Sequence, residues 1–232
     1  MKAVAQIKKT IAWRKEFGVD VIVKCFAVAN TEHDSKDLRM MREILREENR
    51  TGKIYTRGYD VEGRALFYMT PARENTNNEM NNMRHLVWSL EKAIACTARQ
   101  SVEIGVTKQP LEKINLLIDY DAFKLSNAPP MSTTKYTLEI LQKHYPERMK
   151  HAYLLNPPLV FRAFWALIKS FVDSITKEKI VFCSGIDGRA KLTNNVTTKH
   201  KLEVRSYGND PNIRNFDSGE YVSLPFNVGF DE

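Results

Sequence analysis

The stretch that decides the fold runs from Tyr145 to Phe182: YPERMKHAYLLNPPLVFRAFWALIKSFVDSITKEKIVF. The run 151–155 reads as a strand, and Pro157 and Pro158 stop it. An aromatic-rich helix is predicted over 159–173 and a second strand over 179–183. On a wheel at about 100° per residue, Val160, Phe161, Phe164, Trp165, Leu167, Ile168, Phe171 and Val172 fill an arc of about 160°. Arg162 and Lys169 sit opposite. An ordinary surface helix needs only ~100° of apolar arc. So wide an arc fits a buried core helix, or a helix that covers an apolar ligand or meets a membrane.

Working outward, INLLIDYD (114–121) is a continuous apolar strand of the kind buried in a parallel sheet. Helical spacing precedes it over 79–97 and follows it over 133–144, after Pro129-Pro130. Residues 53–69 read as a hairpin turning at Asp60-Val61-Glu62-Gly63. Two further helices are predicted at 2–17 and 37–49. In the first, Val4, Ile7 and Ile11 share a face with Ala3, and Gly18 is its stop. Helices alternating with strands after the hairpin predict an α/β fold with a mainly parallel sheet. Gly185 to Glu232 is polar and reads mostly as loop, with room for a short helix or strand.

The chain has 232 residues, 43% of them hydrophobic, enough for one large domain with an appendage. No apolar run reaches the ~18 residues of a membrane span. Lysines interrupt the first residues where a secretory signal would be apolar. Three cysteines (Cys25, Cys96, Cys183) form no C-x-x-C and suit a reducing compartment. The expectation is therefore an intracellular protein, and the N-x-[ST] sequons at Asn49 and Asn195 read as chance matches. A net charge of +7 either keeps the protein in solution or attracts an anionic partner such as nucleic acid or a membrane leaflet.

Motifs for catalysis are missing. GIDGRA (185–190) lacks dinucleotide-loop spacing, and no Walker A or G-x-S-x-G sequence occurs. His33, His85, His144, His151 and His200 make no metal-ligand pattern, and Glu47-Glu48 lies on a charged helix face. The basic stretches, including Lys199 to Lys201, are short and match no nucleic-acid module. No enzyme, metal, cofactor or nucleic-acid partner is expected.

YPERM, NPP and FRAFWALIKSFVDSITKEKIVF together bring a resemblance. So do WRKEFGVD (13–20), TGKIYTRGYDVEGRALFY (51–68), RHLVWSLEKAI (84–94) and LLIDYDAFKLSNAPP (116–130). In this order they resemble the CRAL-TRIO lipid-binding domain, and more narrowly the fungal and plant phosphatidylinositol transfer proteins of that family. The resemblance implies a sheet flooring a lipid-sized cavity, closed by a mobile gate helix at 158–172. It implies a truncated N-terminal helical module at 1–50, the lipid-binding domain at 51–208 and a tail at 209–232. Acyl contact would fall on Phe161, Phe164, Trp165, Ile168 and Phe171.

A carrier is needed because two acyl chains bring on the order of 30 methylenes, each worth ~0.8 kcal/mol when taken from water. The resemblance implies that Glu147 accepts from inositol hydroxyls while Lys179 and Thr176 hold the phosphate, which suits a carboxylate, an ammonium and a hydroxyl. It also implies a monomer that docks transiently on anionic membranes and carries phosphatidylinositol. Where phosphatidylcholine-binding members place hydroxyl residues, this chain has Ile114 and Leu116 before Asp119. Three further features depart from the family pattern: the Arg-rich segment before WRKEFG is not in this chain, Ser170 follows Lys169 where proline is usual, and the tail lacks a glycine pair. Two other readings compete: a regulatory interaction module, and a carrier of a retinoid, tocopherol or sterol.

Overall fold

The computed structural model describes residues 2–26, 34–106, 109–124, 126, 128–196 and 215–230. The stretch Lys199 to Lys201, His33 and His200 lie outside them. Five strands form one sheet in the order β1 (Ile54–Tyr59), β2 (Ala65–Met69), β3 (Ile114–Asp119), β4 (Met149–Leu155) and β5 (Ile180–Cys183). The β1–β2 hairpin is antiparallel and every later pairing is parallel. The hairpin turn closes as its sequence demands. Asp60 Oδ1 accepts from the backbone N–H of Glu62 at 2.9 Å and of Arg64 at 2.8 Å, and Gly63 supplies a φ of 91°.

The helices follow from equally local signals. The helix α1 (Lys2–Phe17) ends at Gly18, whose φ of 76° is left-handed, and the chain restarts as the short α2 (Val19–Lys24). Ser35 caps α3 (Lys36–Asn49) by accepting from Leu38 N at 3.2 Å. Asn78 likewise caps α4 (Glu79–Glu103), which buries Leu86, Leu90 and Ala93. The helix α5 (Met131–Glu139) runs on into a π turn at Ile140–His144.

The helix predicted over 159–173 is divided. Its first part is α6 (Phe161–Ile168) with a 3₁₀ turn at Lys169–Phe171. Asp173 then accepts from Thr176 N at 2.8 Å and caps a separate helix, α7 (Ser174–Glu178), which the sequence reading did not foresee. Beyond β5, α8 (Gly185–Asn195) and α9 (Ser218–Ser223) order more of the C-terminal region than its polar composition suggested.

Residues 215–230 wrap the outer edge of β1. Phe230 N donates to Thr56 O at 2.8 Å, and Thr56 N donates to the Tyr221 hydroxyl at 2.9 Å. Tyr55 stacks on its cross-strand partner Tyr68 at 5.2 Å and meets Phe216 at 4.7 Å. A Cβ on Gly52 would lie 2.7 Å from the Phe216 ring, so the Thr51-Gly52 turn also makes room for this belt. Lys92, fully buried, donates to Pro225 O at 3.0 Å and sits 5.0 Å from the Tyr221 ring.

The outcome for α1 reverses its apolar pattern. Val4, Ile7 and Ile11 are 57%, 58% and 62% exposed. The docking face instead holds Gln6 and Thr10, which donate to Lys143 O at 2.6 and 3.2 Å, and Trp13, which stacks on His144 at 4.0 Å. Arg14 joins it by bonding Glu91 at 2.5 Å.

Candidate functional site

One face of β3 presents Ile114, Leu116 and Ile118 along the pleat. Over Ile114 and Leu116 lies a cavity of about 130 Å³. Leu90 of α4 and Leu138 and Leu141 of the α5–π segment wall it with apolar surface. Its rim is polar and includes Glu147, Asp173, Thr176 and Lys179. The three residues singled out for a headgroup, far apart in the chain, thus converge at one mouth.

Their positions follow from local structure. Tyr145 to Arg148 turns sharply into β4, with Arg148 N donating to Tyr145 O at 3.3 Å. Within that turn Glu147 takes a φ of 59°, which sends its side chain out across the mouth. Thr176 and Lys179 lie one turn apart at the end of α7, where Lys179 N donates to Thr176 O at 3.1 Å.

In this conformation the polar groups satisfy one another. Lys179 Nζ donates to Glu147 Oε2 at 3.0 Å, and Lys113 Nζ stands 3.6 Å from the same oxygen. The Lys179 hydrogen bond and charge hold the Glu147 carboxyl below its ordinary range. Thr176 Oγ1 donates to Asp173 Oδ2 at 2.6 Å, which lowers the Asp173 carboxyl in turn. Glu147 is 64% exposed, and exposed pairs of this kind are worth only about 0–1 kcal/mol. A ligand offering hydroxyls to Glu147 and an anion to Lys179 replaces them at small cost.

Lys113 and Asp173 escaped the sequence reading. Asp173 had a legible signal, since D-x-x-T is a cap spacing. Lys113 had none. It stands just before β3 and meets Glu147 only because β3 and β4 are neighbours.

The helix α6 covers the other end of the same sheet face. Phe161 is 2% exposed and packs on Tyr120 at 4.4 Å, in a cluster with Leu154, Ile118 and Ile180. Phe164 and Trp165 pack against this cluster half-buried, and Ile168 is buried. The wide apolar arc is therefore split. One edge faces the sheet, while Val160, Leu167 and Phe171 at the other are exposed, Leu167 by 61%. Phe171 lies under the Lys135 ammonium at 4.7 Å rather than against the sheet. Its carbonyl accepts from Gln142, which lines the cavity, so one strut joins the end of this helix to the mouth of the cavity.

The CRAL/TRIO domain family matches residues 49–203, the span that holds both the mouth and α6. The chain belongs to the CRAL-TRIO family. It is 35% identical over 182 residues to CRAL-TRIO domain-containing protein C23B6.04c of Schizosaccharomyces pombe, covering 78% of this chain and 15% of that protein. It is 31% identical over 185 residues to phosphatidylinositol transfer protein PDR17 of Saccharomyces cerevisiae, covering 78% of this chain and 47% of that one. The chain thus spans less than half of either relative. Among solved structures, the crystal structure of Sfh5 shares the CRAL-TRIO fold, with a TM-score of 0.63 at 19% identity over 95% of this chain and 75% of that one.

Proposed function

We propose that this CRAL-TRIO protein binds a phospholipid, phosphatidylinositol, and carries it between membranes or presents it at one. The observation that carries the reading is the convergence of Glu147, Thr176 and Lys179 at the mouth of an apolar cavity. Glu147 accepts from inositol hydroxyls, Lys179 takes the phosphodiester charge and Thr176 donates to a phosphate oxygen. Lys113 holds Glu147 in place when Lys179 turns to the phosphate. The similarity to a phosphatidylinositol transfer protein supports the headgroup.

The acyl chains need more room. Sites for drug-sized ligands run to ~300–1,000 Å³, against about 130 Å³ here. The helix α6 rests on the sheet surface that the chains would cover, so loading requires it to lift. Its exposed edge, Val160, Leu167 and Phe171, then meets the bilayer. In this reading the protein works at the surface of membranes; no described helix is long and apolar enough to cross one.

The test is to identify the lipids that co-purify with the protein by mass spectrometry, beside Glu147→Ala and Lys179→Ala. Phosphatidylinositol enriched in the wild type and lost from both folded variants is the expected result. A different lipid kept by all three proteins would sink the headgroup assignment, and an equal phosphatidylinositol content in all three would do the same.

A further inference from the structure

Phe171 closes the α6 segment in an unusual way for an aromatic. It is 44% exposed and stands apart from the cluster that holds Phe161 on the sheet. Its neighbours Ile168 and Val172 are buried, so apolar packing seats this end of the segment. Phe171 adds two contacts of a different kind. The Lys135 ammonium stands 4.7 Å from its ring centre, and Gln142 Nε2 donates to its carbonyl at 3.0 Å. Both come from one continuous stretch, Lys135 from α5 and Gln142 from the π turn that follows it. They grip the ring and the backbone of the same residue.

The size of these contacts decides what they can do. A cation–π pair or a hydrogen bond at a solvent-exposed site shifts a local equilibrium by about two- to tenfold. That is too little to hold the fold together. It is enough to set how often the end of one helix lifts. The position agrees with such a task. The π turn at Ile140–His144 breaks the regular helical ladder, as turns at functional sites often do, and Gln142 at its middle also lines the cavity.

Lys135 is exposed and has no carboxylate partner among the described residues. Its contact, Phe171, belongs to the outer edge of α6 with Val160 and Leu167. The pull of an anionic leaflet on one lysine at its surface is about as large as a cation–π contact at an exposed site. A surface of lipid phosphates therefore competes with the Phe171 ring for the ammonium on even terms. We propose that Lys135 and Gln142 latch the end of α6 in solution, and that an anionic leaflet loosens the latch by drawing Lys135 off the ring. Phe171 is then free to enter the acyl boundary. The release rests on the lipid-carrier reading; the latch does not.

The latch is read by hydrogen exchange of the amides over 164–171 in the purified protein, with no vesicles present. Lys135→Gln removes the charge, Gln142→Leu removes the donor, and Lys135→Arg keeps a cation over the ring. Gln, Leu and Arg are all good helix formers, so α5 should be undisturbed. Exchange should be about two- to tenfold faster in Lys135→Gln and in Gln142→Leu, and at the wild-type rate in Lys135→Arg. Unchanged exchange in the first two would overturn the latch. So would Lys135→Arg exchanging as fast as Lys135→Gln, or faster exchange spread over the whole sheet. The release is read by transfer of pyrene-labelled phosphatidylinositol between phosphatidylcholine vesicles, with and without about a third of phosphatidylserine in the acceptor. Wild-type transfer should quicken severalfold on the anionic acceptor. Lys135→Gln should already be fast on the neutral one and respond less to phosphatidylserine. An equal response in the two proteins would overturn the release. A wild type that moves no phosphatidylinositol would overturn it together with the carrier reading, and the hydrogen-exchange result would still decide the latch.

Discussion

Glu147 holds a left-handed backbone that an L side chain adopts at a cost of roughly 1–2 kcal/mol. Its exposed pair with Lys179 returns no more than about that. So poor a local balance agrees with the proposed role of its carboxylate at the mouth. Glu147→Gly should therefore leave the melting temperature unchanged or raise it by a few degrees, while removing headgroup-dependent lipid. Calorimetry beside lipid analysis checks both, and a large loss of stability would show the side chain to be structural. Lys113→Ala tests the neighbour: it should weaken phosphatidylinositol retention less than Lys179→Ala does, because Lys113 reaches only the carboxylate, at 3.6 Å.

At the scale of elements, α6 and α1 each divide apolar residues between protein and solvent. Truncating Phe161 on the inner edge of α6 removes the centre of its cluster, and Phe161→Ala should cost about 3 kcal/mol of stability in denaturant melts. Leu167→Asp on the outer edge should shift the melt little but slow lipid transfer between vesicles. Equal effects of the two substitutions on stability would contradict the split arc. The sequence made α6 legible as a wide stripe and β3 as a buried run, because both are short-range patterns. It did not show which edge of the arc faces inward, since that depends on Ile118, Leu154 and Ile180, brought together from three strands. For the same reason α1 misled: its docking face is polar and aromatic, bonded to a carbonyl 133 residues from Thr10, while its apolar stripe lies beside that face and is exposed. Glu147, Thr176 and Lys179 entered through family resemblance, since no spacing in the chain singles them out. Lys113, visible only through strand adjacency, did not enter at all.

At the scale of the whole molecule, His85 is expected to contribute to the response to acid. It is fully buried, neither ring nitrogen has a hydrogen-bond partner among the described residues, and Lys53 lies close enough to oppose a second charge. Burial first, then Lys53, hold the folded imidazole well below its ordinary 6.5. The unfolded chain binds the proton near 6.5, so this contribution to stability is full above that pH and is lost as pH falls below it toward the folded value. Burial depresses His144 and His151 in the same direction. The melting temperature should drop between about pH 7 and about pH 5.5, and His85→Leu should flatten much of that drop. A wild-type curve level across this window would refute the assignment.

The belt of residues 215–230 has a different consequence. The family match ends at 203, but Phe216, Tyr221 and Phe230 lie beyond it and close the outer edge of β1. Cutting the chain at the family boundary would leave Thr56 with a bare N–H and C=O and strip the aromatic cover from Tyr55. That is the template on which strands of neighbouring molecules add. A fragment ending at 214 should accordingly self-associate into β-rich aggregates, so the hydrogen bonds at Thr56 also act as the protein's guard against fibre-like assembly.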